Sequence, residues 1–314
     1  MIIRNVLGFG ALALALGACS SASTDTPAAA DAGTKPIDSG AAADSAVSHA
    51  CPTSAHKTIV VVGDSISDQG SGETLASQEP FYRTLLVKND DAKYPDWKGS
   101  DLSTCWKIDP TANVVKVSVG GAIATEKVGK QSVLLDQVKS LPASLPGPVL
   151  VIGTIGGNDA LAGLADVLIG TAEQQKADLD GFIKGFGDAM TELTRTDRFG
   201  AGVKVDVLMT NIFDPSGGTG NFVYTPEKIN CPGSFSLWPA GKPTDPVLNA
   251  WDTAMQAEAA KYPGVKLLDL HAQFKSHDVN QAADANWFYD DCIHPNSAGH
   301  EHIRELFWGG ISAL

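Results

Sequence analysis

Residues 58–65 read Thr-Ile-Val-Val-Val-Gly-Asp-Ser. Five consecutive β-favouring residues without polar alternation describe a strand covered on both faces, as in a parallel sheet. The run stops at Gly63, and two residues later Ser65 offers a hydroxyl at the carboxyl end of that strand. Parallel α/β sheets bind their ligands at that edge.

Outward from this stretch, four more runs have the same character: 114–119 (VVKVSV), 149–155 (VLVIGTI), 203–210 (VKVDVLMT) and 265–270 (VKLLDL). Leu179, Phe182, Ile183, Phe186, Met190 and Leu193 recur at the helical period between the third and fourth runs. Val247, Leu248, Trp251 and Met255 do so before the fifth, and Ile303, Leu306 and Phe307 after Pro295. Repeated βα units predict a five-stranded parallel sheet with helices on both faces, in one domain over residues 51–314. Stretches 88–112 and 214–244 show no clear period. Loops of this length are expected to be functional or disordered, and at a sheet edge one or both can wall a substrate groove.

The 314 residues are 43% hydrophobic and 19% charged, which excludes a disordered or fibrous body. With 36 Asp and Glu against 23 Lys and Arg, the net charge is −13. No basic patch interrupts the acidic balance, so nucleic-acid binding is not expected. The first fifty residues carry an address. Arg4 precedes an uncharged run from Val6 to Ala18 that ends in small residues, the pattern of a secretory signal over 1–18. Leu16-Gly17-Ala18-Cys19 resembles the bacterial lipobox, which implies acylation of Cys19 and a membrane-anchored exported protein, in the outer membrane if the source is Gram-negative. Residues 19–50 are dominated by Ala, Ser, Thr, Pro, Gly and Asp, too poor in large apolar side chains to offset ordering entropy, and are expected to be a flexible tether.

Four short motifs fall after predicted strands or near the C-terminus. Gly63-Asp64-Ser65 sets a candidate nucleophile at a strand-to-helix turn. It is not the Gly-x-Ser-x-Gly elbow, because Ser67 stands in place of the second glycine. Gly120-Gly121 follows the second run, where paired glycines let a backbone N–H approach a ligand. Gly156-Gly157-Asn158-Asp159 follows the third, and Asn158 supplies a neutral side-chain donor suited to an oxyanion. Asp291-Cys292-Ile293-His294-Pro295 carries a carboxylate three residues before an imidazole, close enough on a turn to accept its Nδ1–H and leave Nε2 free as a base. Asp290 is the rival acid, with the poorer spacing.

Together and in this order, the motifs resemble those of the SGNH hydrolases, also called the GDSL esterase/lipase family. The resemblance covers roughly residues 57–310, with Ile66 where the family name has Leu. It implies a three-layer α/β/α, flavodoxin-like fold and a triad of Ser65, His294 and Asp291. It also implies an oxyanion hole of the Ser65 and Gly121 N–H groups and the Asn158 side chain. Asp68, which completes a Gly-Asp-Ser-x-Ser-Asp form, is given no catalytic role. The expected activity is hydrolysis of carboxylic esters through an acyl-enzyme. Short-acyl or carbohydrate esters are favoured, because no long apolar lid is visible. Lipid esters in the manner of a lipase or lysophospholipase are the alternative, and a non-catalytic surface binding lipoprotein on the same fold is the reading of another class. The protein is expected to be a monomer.

No Walker motif, His-Glu-x-x-His or Cys-x-x-Cys occurs, and His271 and His277 lack ligand-like neighbours in the chain, so neither a metal nor an organic cofactor is expected. His300 and His302 are assigned surface or capping roles, and Trp106, Trp238 and Trp287 packing roles rather than sugar platforms. Of five cysteines, setting aside Cys19 leaves Cys51, Cys105, Cys231 and Cys292, with three possible pairings. Cys51–Cys105 with Cys231–Cys292 is the favoured one, and its second bridge would tie the 214–244 loop to the turn bearing Asp291 and His294.

Overall fold

The strand β1, Thr58–Gly63, is buried along its whole length, as its unbroken apolar run requires. It is an interior strand, between β2 and β3, of a five-stranded sheet with β2 (Val114–Lys116), β3 (Val149–Thr154), β4 (Val205–Thr210) and β7 (Val265–Leu268). The order is β2-β1-β3-β4-β7 and every pairing is parallel, with Gly63 opposite Thr154 at the carboxyl end. A separate antiparallel pair, β5 (Val223–Tyr224) and β6 (Ile229–Asn230), lies within the 214–244 stretch. This computed structural model describes residues 49–68, 81–126, 131–163, 166, 170–224, 229–231, 238–239 and 241–314. The signal, Cys19 and nearly all of the tether expected from the sequence lie outside the described residues.

Alternation along each strand divides the core into two layers. Ile59, Val61, Leu150, Ile152 and Leu208 face α1 (Tyr82–Val87), α7 (Leu270–Phe274) and α8 (Ser297–Ser312). Val60, Val62, Val151, Val207 and Met209 face α3 (Leu134–Ser140), α5 (Ala172–Thr194) and α6 (Asp245–Ala259). Each fully buried Val, Leu or Ile contributes about 1.5–3 kcal/mol relative to exposure. The fold is the three-layer α/β/α arrangement expected. β2 ends at Lys116 rather than residue 119, where the amides of Val117 and Ser118 share the carbonyl of Val61, although the Val119 N–H still bonds the Gly63 carbonyl.

Local chemistry sets the helix starts. Thr171 and Gln174 form a reciprocal capping box on α5, and Asn296 accepts the Gly299 N–H at the start of α8. The 88–112 stretch is an ordered pad that includes a 3₁₀ turn (Pro95–Trp97) and α2 (Leu102–Trp106). Arg304 of α8, fully buried, stacks its guanidinium 3.9 Å from the Trp97 ring centre and donates to Asn89 Oδ1 at 2.9 Å. Disulfides join Cys51 to Cys105 and Cys231 to Cys292.

Candidate active site

The chain reverses sharply where β1 ends. Gly63 has φ +111°, and a Cβ there would lie 2.0 Å from the Thr154 carbonyl oxygen, so no side chain fits. Gln137 of α3 grips the same residue from both sides, accepting the Gly63 N–H at 2.8 Å and donating to its carbonyl at 2.9 Å. Asp64 Oδ1 then accepts the Ile66 N–H and the Thr154 hydroxyl. Burial pushes the Asp64 carboxyl up to about 6, against the lowering effect of those hydrogen bonds and of His294. Ser65 is thereby held at the carboxyl edge on a turn locked to β3.

The C-terminal motif meets it there. His294 Nε2 lies 3.0 Å from Ser65 Oγ, and its Nδ1 lies 2.6 Å from Asp291 Oδ2. Asp291 Oδ1 accepts the Ile293 and His294 backbone N–H groups, both at 2.9 Å. Burial acts to raise the Asp291 carboxyl, but the His294 hydrogen bond and charge and these two amides outweigh it and hold the group below its ordinary value. The imidazole contact thus goes to Asp291, with Asp290 outside it. Cys292 between them is in the left-handed region at φ +58° and is fully buried in its disulfide with Cys231.

The two glycine motifs close the opposite side. Gly121 has φ +75°, and a Cβ at Gly120 would come within 3.9 Å of Ser65 Cβ, so this loop runs beside the serine. Asn158, in α4 (Gly157–Ala162), donates from its side chain to the Ala122 carbonyl at 3.0 Å and lines the same pocket as Ser65. Three residues with no role assigned from the sequence brace this side. Asp159 accepts the Ala124 N–H at 3.0 Å and the Thr125 N–H at 2.9 Å, and Asp68 accepts the Gly120 N–H at 2.9 Å while pairing with Lys116. Ser67, buried, links the Thr154 amide and hydroxyl to the Tyr82 hydroxyl. Asp68 had a sequence signal in its place three after Ser65; Gln137 had none.

The pocket opening from Ser65 has a volume of about 930 Å³ including its mouth. Its walls are mainly apolar, with Ile155, Leu161, Ile212, Phe213, Phe222, Trp238, Val247, Leu248 and Ile293 among the lining residues. Of the two aperiodic stretches, 214–244 therefore walls the groove, and 88–112 contributes no residue to this pocket. Trp238 faces the pocket rather than packing only inward, while Trp287 is buried in a stack between His277 and His302. His300 departs from a surface role. It is buried, and burial followed by the charge of His294 pushes it down to about 3, leaving a neutral ring whose Nδ1 accepts the Tyr82 N–H at the start of α1. His271 also departs from its sequence reading, since the fold surrounds it with Asp214, Asp245 and Asp252.

A parallel α/β sheet bearing Ser, His and Asp in one hydrogen-bonded line at its carboxyl edge defines a class, the α/β serine hydrolases. The chain belongs to the GDSL-like lipase/acylhydrolase family, whose model matches residues 59–307, and is a carboxylic ester hydrolase. No curated protein matches it. Among solved structures, it is similar in fold to a gut microbial diltiazem-metabolizing enzyme, BT4096, at 17% identity and TM-score 0.50, covering 83% of this chain and 48% of that one. Looser likenesses are to Axe2, an acetylxylan esterase from Geobacillus stearothermophilus (16% identity, TM-score 0.46, 82% and 94% covered), and to phospholipase A1 from Streptomyces albidoflavus (18%, 0.42, 82% and 99%).

Proposed function

We propose that the protein is an exported serine esterase whose preferred substrates carry a compact apolar acyl group. The observation that carries this reading is the Ser65–His294–Asp291 line standing at the mouth of a pocket walled by Ile155, Phe213, Trp238 and Leu248. Ser65 Oγ attacks the ester carbonyl as His294 Nε2 takes its proton, and Asp291 orients the ring and stabilises the imidazolium. The Ser65 and Gly121 N–H groups and the Asn158 amide receive the developing oxyanion, each worth about 3 kcal/mol of barrier. His294 then protonates the departing alcohol. Water, deprotonated in turn by His294, opens the acyl-enzyme and restores Ser65.

The apolar lining moves the preference from acetylated carbohydrate towards acyl chains longer than acetyl. Each methylene buried is worth about 0.8 kcal/mol, about fourfold in kcat/KM, until the pocket is filled. A p-nitrophenyl ester series from acetate to palmitate tests this. The expected optimum lies above acetate and below palmitate; a monotonic fall from acetate would refute it. Covalent labelling of Ser65 by a fluorophosphonate, lost in Ser65→Ala, tests the nucleophile, and an unreactive wild-type protein would favour a binding module. Anchoring through Cys19 is part of the same reading, supported by the lipobox-like sequence and by two disulfides suited to an oxidising compartment. Metabolic labelling with palmitate, abolished in Cys19→Ala, is its test.

A further inference from the structure

Behind the wall of the substrate pocket, three elements bring one imidazole and three carboxylates together. His271 comes from α7, Asp245 is the first residue of α6 and Asp252 lies two turns further along it, and Asp214 follows β4. His271 is 95% buried, from its relative exposure of 5%. Its Nδ1 lies 2.5 Å from Asp252 Oδ2 and carries a proton. Burial acts to lower the basicity of the ring, but the Asp252 hydrogen bond and the charges of Asp252, Asp214 and Asp245 outweigh it, so a metal ion at Nε2 would displace a proton there. Nε2 is buried, has no hydrogen-bond partner among the described residues and points at Asp245 Oδ1, itself buried and unpartnered.

The separation of these two atoms is 3.8 Å. That is too long for a hydrogen bond. A bridging water with two bonds of about 2.8 Å at the tetrahedral angle would need about 4.6 Å. Two metal bonds of about 2.0–2.1 Å span it with a wide angle at the ion. One carboxylate oxygen of Asp214, one of Asp245 and one ring nitrogen of His271 lie within 4.8 Å of one another. The Asp214 carboxylate is held by the Ser216 N–H and hydroxyl at 2.8 Å, the Gly218 N–H at 2.9 Å and the Thr244 hydroxyl. Four donors leave Asp214 a weaker ligand than Asp245, and it contributes chiefly its charge. Formally the three aspartates bring −3, and Lys275 Nζ, 2.9 Å from the outer oxygen of Asp245, returns +1.

We propose that His271 Nε2 and Asp245 Oδ1, with Asp214, form a binding site for a divalent cation of the zinc type. A dication cancels the formal −2 of the cluster. One imidazole with carboxylate oxygens suits zinc or a neighbouring transition ion, whereas calcium and magnesium take all-oxygen shells. Asp252 is the carboxylate partner that orients a ligating histidine through its other nitrogen. Because Asp214 and Thr244 line the substrate pocket, the ion would lock one of its walls.

Calorimetric titration of zinc chloride into the metal-stripped chain is expected to show one equivalent bound, with a rise in Tm. His271→Gln and Asp245→Asn are expected to abolish both, and Asp252→Asn to weaken binding by about 10–100-fold. A zinc-edge anomalous peak between His271 Nε2 and Asp245 Oδ1 in a soaked crystal is the positional readout. Absence of stoichiometric binding by the wild-type chain overturns the proposal. So does undiminished binding by Asp245→Asn, which would place the ion on surface groups such as His302 and Glu305. Should His271→Gln fail to fold, the Asp245 variant, at a partly exposed position, and the anomalous map decide.

Discussion

Removing the two disulfides separately should give nearly equal losses of stability and very unequal losses of activity. The bridges close loops of similar length, with sequence separations of 54 for Cys51–Cys105 and 61 for Cys231–Cys292. In the chain-entropy model each contributes about 4 kcal/mol, and the two differ by only about 0.1 kcal/mol. Their surroundings differ far more. Cys51 is exposed, whereas Cys231 and Cys292 are buried, and Cys292 lies between Asp291 and His294 with φ +58°. A left-handed conformation costs a non-glycine residue roughly 1–2 kcal/mol, and the bridge is what holds it. Without it the turn can relax, although the Tyr289 N–H to His294 carbonyl bond and the two amides on Asp291 still brace it. A displacement of about 1 Å at a reacting group costs up to about 10²-fold in rate. Cys231→Ser/Cys292→Ser is therefore expected to lose ten- to a hundredfold in kcat, on the order of the misplacement effect, and Cys51→Ser/Cys105→Ser less than about twofold. Urea unfolding gives the stabilities and p-nitrophenyl butyrate hydrolysis at 25 °C the rates, after circular dichroism has shown each variant folded. Equal activity in the two variants would refute the reasoning, because the catalytic turn would then be self-supporting.

Asn158→Ala should lower kcat by about 10²–10³-fold with KM little changed, since an oxyanion donor acts where charge develops; steady-state kinetics with the effect confined to KM would remove Asn158 from that role. Asp64 binds its proton more tightly in the folded chain, about 6 against 3.8, so wild-type stability falls as pH rises from about 4 to about 6 and stays lower above that. The window is worth about 3 kcal/mol, and urea unfolding of Asp64→Asn at pH 4 and 8 should show the wild-type minus variant difference change by that order. Gly63→Ala should fail to fold or lose activity entirely, because its Cβ would overlap the Thr154 carbonyl; a folded, active variant by circular dichroism and ester turnover would contradict the turn geometry.

The strands were legible in the chain because burial on both faces demands uninterrupted β-branched and aliphatic runs, as at 58–62 and 149–152. The Asp291–His294 contact was legible for a similar reason, since three residues on a turn bring the two side chains within reach whatever surrounds them. Such features depend on short-range backbone geometry alone. Ser65 meeting His294 across 229 residues of sequence follows only from β1 lying inside the sheet and α8 packing in the core layer on one face of that sheet. The apolar pocket likewise needs Phe222 and Trp238 from the 214–244 stretch to face Leu161 and Leu248 from two helices, and no local period records that meeting. His271 is the plainest case. Its aspartates stand 19, 26 and 57 residues away, with contacts set by the docking of α6 and α7 on one sheet edge. By itself the sequence determined which segments form the parallel sheet and which side chains share a turn, because periodicity and spacing are local. Which distant charges share a buried space was decided by tertiary packing, because only the joining of faces brings them within bonding distance.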